Sequence, residues 1–166
     1  MSSFSVKGPY AVSTLKLGAG RHITAKEGKA FWATHSTLGK ERGCYIFAFR
    51  AAKGLKPIYI GKASKTFAQE VFTDHKLNKY NLGLASQKKG TPVLFFVCLA
   101  RVKGPVNRVA IDEVESFLIQ AGLVANKNIL NSRKAQVQSW SISGVVRSGV
   151  GKPSQAASDL CQCLKL

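Results

Sequence analysis

The chain has 166 residues, of which 45% are hydrophobic, so it is long and apolar enough for one well-buried domain and is unlike a disordered polypeptide. Twenty-five Lys and Arg against eight Asp and Glu give a formal net charge of +17, and the basic residues are spread along the whole chain. This charge predicts a polyanionic partner, with an anionic membrane surface as the weaker alternative to nucleic acid.

The four cysteines lack the spacing of a disulfide framework. Cys44 and Cys98 lie in predicted strands, where a thiol serves as a small apolar side chain. Zinc binding at Cys161 and Cys163 is disfavoured because no second pair or nearby His completes four ligands. With no signal-peptide pattern and no apolar run of spanning length, we expect a reducing, cytoplasmic compartment.

Residues 1–42 are predicted to form an N-terminal extension that packs on the core. The short apolar alternation around Tyr10 to Leu17 favours a strand or an ordered arm. Thr24 and Glu27 have the spacing of a capping box, which predicts a helix start. Four side chains then share one helical face: Phe31, Trp32, His35 and Leu38.

Two runs of aromatic and β-branched residues predict a β-hairpin. The first begins at Gly43-Cys44-Tyr45 and ends at Arg50, and the second is Ile58-Tyr59-Ile60-Gly61. Tyr45 and Tyr59 each lie close to a glycine, Gly43 or Gly61, which permits close approach of a backbone or ligand. The pattern therefore predicts two neighbouring phenols, although buried strand tyrosines with purely structural hydrogen bonds are the ordinary alternative.

The stretch from Lys62 to Tyr80 reads as a loop entering a helix. Its lysines are Lys62, Lys65, Lys76 and Lys79. Spacings of three and four place some of them on one side, where they could meet a phosphate backbone or simply form a solvated face. A turn-rich polar link at Asn81 to Gly90 and a strand at Pro92 to Arg101, apolar enough to be buried on both faces, are expected to follow.

Asn107 to Gly122 is predicted to be a helix, with Gly122 as its stop signal. It carries three of the eight acids, Asp112, Glu113 and Glu115. Acids in the first turns favour the helix dipole, and a carboxylate can also hold a hard divalent cation with water and phosphate ligands.

In order and spacing, these features resemble the GIY-YIG nuclease superfamily over residues 43–131. Gly43-Cys44-Tyr45 is similar to its first motif and Tyr59-Ile60-Gly61 to its second, and Glu115 and Asn131 follow in order. The resemblance implies an α/β fold with a small three-stranded mixed or antiparallel sheet flanked by helices. It also implies a Mg²⁺- or Mn²⁺-dependent endonuclease acting on DNA, with RNA left open.

The resemblance further implies a role for each motif residue. Glu115 would hold the metal, and Tyr45 would act directly or through its partner as general base, which requires nearby lysines and the metal to favour an ionised phenol. Tyr59 would orient water or phosphate. Asn131 would be the site asparagine, with Asn126 and Asn128 as alternatives.

One position departs from the family pattern. The family's helix arginine, eight residues after the motif glycine, falls on Gln69, and no arginine occurs between Arg50 and Arg101. Either Lys65 or Lys76 replaces the charge, an arginine comes from elsewhere, or catalysis is impaired. His75 is a second candidate phosphate donor or proton carrier, about two residues out of the family register. The alternative function is thus a catalytically impaired nucleic-acid-binding module.

Residues 132–166 are predicted to be a basic C-terminal extension. Arg133 and Lys134 are candidate nucleic-acid contacts, and Trp140 lies in a β-like stretch from Ser139 to Val146. Pro153 would open an amphipathic helix that docks on the domain or on a protein partner. An assembly or membrane-surface adaptor using this helix is the weakest of the functions considered.

Overall fold

A computed structural model describes residues 2–18, 20–52, 54–87, 89–100, 105–131, 133–134, 142–145 and 151–164. The chain divides into two compact units, residues 1–135 and residues 136–166. Trp140 and half of the predicted Ser139 to Val146 stretch lie outside the described residues.

The first unit contains six strands and five helices within its described residues. The strands are β1 (Phe4–Ala11), β2 (Leu15–Leu17), β3 (Gly20–His22), β4 (Gly43–Ala51), β5 (Gly54–Ala63) and β6 (Thr91–Leu99). The helices are α1 (Ala25–Thr34), α2 (Ser36–Gly39), α3 (Phe67–Glu70), α4 (Asp74–Ser86) and α5 (Arg108–Ala125). In the second unit, the predicted C-terminal helix is present as α6 (Gln155–Leu164).

The central sheet is antiparallel and has four strands in the order β1-β6-β4-β5. The predicted α/β class is confirmed, whereas the predicted number of three strands is wrong. The fourth strand, β1, comes from the N-terminal extension and pairs along β6, with Phe4 opposite Leu99 and Ala11 opposite Val93. Without β1, the backbone groups of the apolar strand β6 would form an open edge.

The two faces of the sheet pack against different helices, because alternate residues of a strand point to opposite sides. On one face, Tyr45, Phe47 and Phe49 of β4 join a core to which α1, α2, α3 and α4 contribute. On the other face, Cys44 and Ile46 pack against α5. The sheet therefore lies between a layer of several helices and a single long helix.

The capping box is confirmed at α1, where the Thr24 side chain accepts from the backbone and Glu27 bonds back to the Thr24 backbone. The stop signal predicted at Gly122 is wrong, since α5 continues to Ala125. A side chain at position 122 would collide with Ile60, so this glycine lets α5 lie close to β5.

Helix α4 extends to Ser86, through the first part of the stretch predicted to be a polar link. Leu77, Tyr80 and Leu84 are buried on its inner side. The burial of these three side chains stabilises a helix in a segment whose turn-forming residues would otherwise favour a loop.

The outer edge of β5 is covered by the segment that follows α5. The Asn126 side chain donates to Pro57 O at 2.7 Å, and Leu130 N donates to Ile58 O at 2.7 Å. The Asn131 amide then donates to Ile60 O at 2.7 Å and accepts from Ile60 N at 3.0 Å. Asn131 thus behaves as a substitute strand residue and completes the backbone pairing of the second motif.

Cys44 and Cys98 are buried in β4 and β6, as predicted for thiols used as apolar side chains. Burial is the main cause that raises the pKa of each thiol to about 12. Cys163, in contrast, is exposed. Within the described residues, no helix combines the length and the hydropathy needed to cross a membrane.

Replacement of Asn131 by Ala is expected to lower the free energy of unfolding by about 1–3 kcal/mol, because both backbone groups of Ile60 lose their partner. Urea denaturation of the Asn131→Ala protein measures this loss. The matched control is Asn128→Ala, an exposed asparagine in the same segment that should change stability by less than about 0.5 kcal/mol. Equal losses in the two variants would contradict the role given to Asn131.

The cysteines provide a second check on the packing. At pH 8, well below a pKa of about 12, Cys44 and Cys98 remain protonated and shielded, so alkylation by iodoacetamide should be slow at both. Cys163 should react fastest. Peptide mass spectrometry over a time course identifies the labelled positions, and fast labelling of Cys44 in the folded protein would contradict the burial of β4.

Candidate active site

Hairpin pairing brings the two motif tyrosines together. Tyr45 lies opposite Gly61 and Phe47 lies opposite Tyr59. The ring centroids of Tyr45 and Tyr59 are 6.4 Å apart, with planes inclined at 46°. Because the Tyr45 ring crosses above Gly61, any side chain at position 61 would overlap its hydroxyl group. The predicted proximity of the phenols is confirmed, and the motif glycine is explained by packing.

Tyr45 is fully enclosed, with a relative exposure of 0%. Among the described residues, no group forms a hydrogen bond of good geometry with its hydroxyl, although the Tyr80 phenol interacts with it. Burial, assisted by the neighbouring phenols of Tyr80 and Tyr59, raises the pKa of Tyr45 well above its usual value. The described surroundings of Tyr45 therefore disfavour the ionised phenol that a role as base requires, and the protein alone keeps this phenol neutral at physiological pH.

Tyr59 has a charged partner that Tyr45 lacks. Lys76 Nζ, from the first turn of α4, donates to the Tyr59 hydroxyl at 2.7 Å and lies 5.1 Å from the centre of its ring. The side chain of Tyr59 is 7% exposed. The structure therefore joins Tyr59 and Lys76 into one polar pair at the boundary of the core.

Three other predicted site residues lie on the surface: Lys65, Gln69 and His75. The Gln69 side chain accepts a hydrogen bond from Thr66 Oγ1 at 3.0 Å, a local contact at the start of α3. Across the described part of the chain, none of the three is hydrogen-bonded to either motif tyrosine. Gln69 has no charge and binds Thr66, so it does not replace the arginine of the family pattern. Of the two candidate lysines, Lys76 is the one that contacts a motif tyrosine.

The acidic residues of α5 form a second cluster. Asp112 and Glu115 are one helical turn apart, and both pair with Lys62 and Lys134. Lys134 Nζ lies 2.8 Å from Asp112 Oδ1 and 3.0 Å from Glu115 Oε2, while Lys62 Nζ is 3.7 Å from Glu115 Oε2 and closer still to Asp112 Oδ1. We call these four residues the acid–lysine cluster.

Charges within the acid–lysine cluster stabilise one another. Hydrogen bonds from Lys134 and then Lys62 lower the pKa of Asp112 to about 2. Partial burial disfavours the charge of Lys134, but its hydrogen bonds to Asp112 and Glu115 outweigh this effect and raise its pKa. Only 14% of the Glu115 side chain is exposed, against 46% for Asp112. Glu115 is thus the more protected of the two carboxylates.

The resemblance places Mg²⁺ or Mn²⁺ at Glu115, and the cluster can be compared with that requirement. Two carboxylates one turn apart supply the hard oxygen ligands that Mg²⁺ prefers. However, two ammonium groups already approach these oxygens and bring the formal charge of the cluster to zero. As arranged, the residues fit two lysines and do not fit a divalent cation. Within the described residues there is also no group of three His, Cys, Asp or Glu side chains suited to a metal.

The predicted site is divided by the sheet. Tyr59 belongs to the core on one face, whereas Ile60 packs against α5 on the other, and Lys62 follows the alternation of Ile60. The Tyr45–Tyr59 pair and the acid–lysine cluster therefore lie on opposite faces. Asn131 joins neither group and binds the β5 backbone between them.

Sequence reasoning missed two participants. Tyr80 packs against the tyrosine pair, stacks on Phe47 at 4.3 Å between ring centroids, and donates to Val71 O at 2.8 Å. Asp112, an acid of α5 without a predicted site role, pairs with both lysines of the cluster. Its separation of three positions from Glu115 was the available signal, because that spacing places two side chains on one helical face.

No protein-family model matches this sequence, and searches of curated proteins and of solved structures likewise gave no match. The likeness to GIY-YIG nucleases therefore remains a resemblance carried by the motifs.

Replacement of Tyr45 by Phe is expected to leave the stability unchanged or to raise it by up to about 1 kcal/mol, since it removes a buried hydroxyl that has no hydrogen bond of good geometry. Tyr80→Phe is the matched comparison. It loses the bond to Val71 O and should cost about 0.5–1.5 kcal/mol in urea unfolding. If Tyr45→Phe were the more destabilising, the Tyr45 hydroxyl would have a structural partner after all.

Proposed function

We propose that the chain is a nucleic-acid-binding protein that contacts the phosphate backbone, with DNA as the expected ligand. The observation that carries this proposal is that the acidic side chains form contacts within the fold. Most of the acids form hydrogen bonds or ion pairs within the fold, while few of the lysines and arginines in the described ranges pair with a carboxylate.

The ion pairs support this argument directly. Among the residues that the structure describes, only Lys7, Lys62 and Lys134 pair with carboxylates. Glu27 is committed to the capping box and Glu70 accepts from the backbone of Lys65. Most of the described lysines and arginines therefore carry a charge that no described carboxylate offsets, and this charge attracts a polyanion.

A basic strip beside β5 is the part of this surface best suited to a phosphate backbone. Lys65 is exposed in the loop that leads from β5 to α3. Lys76 and Lys79 are spaced three residues apart on α4 and so share one side of the helix, with His75 exposed beside them. We propose Lys65 and Lys79 as backbone contacts, since Lys76 is held by Tyr59.

The arrangement favours binding over catalysis for three reasons. Tyr45 is sealed and neutral, Gln69 is engaged with Thr66, and the carboxylates of Asp112 and Glu115 are occupied by ammonium groups. None of these groups is poised to polarise a phosphate or to activate water.

Salt dependence of DNA affinity tests the proposal. Fluorescence anisotropy with a labelled duplex and a labelled single strand should show affinity falling steeply between about 50 and 200 mM salt. Combined Lys65→Ala and Lys79→Ala changes should reduce the slope of log affinity against log salt by about 2. The control, Lys16→Ala with Lys26→Ala, removes the same charge from exposed positions on β2 and α1.

An unchanged slope in the first variant, or an equal change in the control, would refute the strip as the binding surface. Absence of any affinity at low salt would refute nucleic-acid binding itself.

A metal-dependent endonuclease is the second candidate, and one observation favours it. Glu115, the metal ligand implied by the resemblance, is largely shielded from solvent and lies 3.7 Å from Lys62, the residue directly after the second motif. A carboxylate is therefore present beside the motif, although two lysines hold it.

Nicking of supercoiled plasmid in Mg²⁺ or Mn²⁺ separates the candidates. An endonuclease would nick, Glu115→Gln would abolish the nicking, and Glu113→Gln, a change at an exposed acid of the same helix, would not. We expect binding without nicking in all three proteins. Nicking that only Glu115→Gln loses would replace the binding proposal by the endonuclease.

A further inference from the structure

One outer side of α5 is apolar and exposed. Phe117 is 70% exposed and Val124 is 71% exposed, although both are large hydrophobic side chains. Ala121 between them is exposed as well, and Val114 and Ala110 are half-buried one and two turns before Phe117. We call these five residues the α5 stripe. A contiguous exposed apolar patch of this kind marks an interaction surface.

The spacing of the α5 stripe is that of a contact between helices. Its members are separated by four, three, four and three positions, which is the 3.5-residue repeat with which two helices pack side by side. The buried residues of α5, such as Ile111 and Ile119, belong to the clusters on the side that faces the sheet. Helix α5 therefore has one apolar side for the sheet and a second, exposed one that suits another helix.

Charge separates this surface from the rest of the chain. The α5 stripe contains no ionisable residue. The formal charges of the acid–lysine cluster sum to zero, and the remaining charged residues of α5, Arg108 and Glu113, cancel each other. Two copies of a chain with a charge of +17 repel each other least at such a neutral surface. Phosphate groups and anionic lipid headgroups, in contrast, are attracted by basic side chains.

Side-chain size makes the α5 stripe complementary to itself. Phe117 is large, and Ala121, one turn later, is small. When two α5 helices lie antiparallel, each Phe117 can fill the space over the partner's Ala121, and the two contacts are identical. Val114 and Val124, three positions before and after this pair, then face each other across the same contact. Reciprocal contacts of this kind characterise a closed two-fold dimer.

We propose that the α5 stripe is a homodimer interface and that a second copy of this chain is its partner. A helix of 18 residues is about 27 Å long, and it gives a small contact compared with the roughly 800 Å² per partner of a standard interface. The dimer is therefore weak and reversible. Salt strengthens it, because screening reduces the repulsion between two positively charged copies. This inference goes beyond the proposed function and does not depend on it, because it concerns the protein alone.

Sedimentation equilibrium of the nucleic-acid-free chain tests the proposal at about 0.05 and 0.5 M salt, with protein concentrations up to about 1 mM. The mean mass should rise from 17.9 kDa towards twice that value as the protein concentration increases, and it should rise further at the higher salt concentration. Phe117→Ser should raise the dissociation constant at least about tenfold, because it removes the aromatic side chain at the centre of the contact. Ala121→Arg should prevent dimer formation, since it fills the small position with a charged side chain.

An exposed leucine on another helix supplies the matched control. Leu82 of α4 is 59% exposed, so Leu82→Ser also removes an apolar side chain from the surface, and it should keep the parent dissociation constant. An equal loss in Leu82→Ser, or a mass of 17.9 kDa under all these conditions, would overturn the proposal. Association that weakens as salt rises would overturn it too, because it would indicate a contact through charged groups or residual nucleic acid.

Vesicles of phosphatidylcholine and phosphatidylserine test a membrane as the competing partner. The parent and Phe117→Ser should behave alike in a flotation assay. Vesicle binding that only Phe117→Ser loses would assign the α5 stripe to a lipid surface and overturn the proposal. Circular dichroism establishes that each variant is folded, and Ala121→Arg decides the question if Phe117→Ser fails to fold. Failure of DNA binding leaves these outcomes unaffected, because no measurement uses DNA.

Discussion

The antiparallel pairing of β4 with β5 is the constraint on which the rest of the structure depends. It sets Tyr45 across from Gly61, and the phenol ring fits only because position 61 has no side chain. The same register sends Ile46 and Ile60 to the opposite face, where α5 packs. A shift of one residue would exchange these faces, burying Lys62 among aromatic rings and moving the tyrosines towards α5.

This pairing also determines what the motif residues can do. The contacts that position Tyr45 also enclose its hydroxyl group, so the position that the resemblance assigns to a base is poorly suited to lose a proton. Tyr59 is less enclosed and has Lys76 as a partner. On the opposite face of the sheet, the two lysines and two carboxylates of the acid–lysine cluster form ion pairs, and their formal charges sum to zero. The two tyrosine motifs therefore determine the geometry of β4 and β5 more strictly than they determine the chemistry of the site.

The parts predicted from the sequence are those governed by local rules. The hairpin, the capping box at Thr24 and the long helix around Glu115 follow from turn residues, hydrogen-bonding side chains and apolar periodicity. The fourth strand of the central sheet was not predicted because its pairing with β6 joins residues about 90 positions apart. Local composition does not indicate a contact over that distance in the sequence. Likewise, the charges of Lys62 and Lys134 could be counted, but their meeting at Asp112 depends on the packing of α5.

The segment after α5 that covers the outer edge of β5 limits where the chain can be shortened. Asn126, Leu130 and Asn131 satisfy backbone groups that would otherwise face outward along the last strand of the sheet. A fragment that ends with α5 would keep every motif tyrosine and acid, yet it would present an open and largely apolar strand to its neighbours in solution. Self-association of such a fragment beyond that of the whole chain would then reflect the missing cover rather than a natural oligomer.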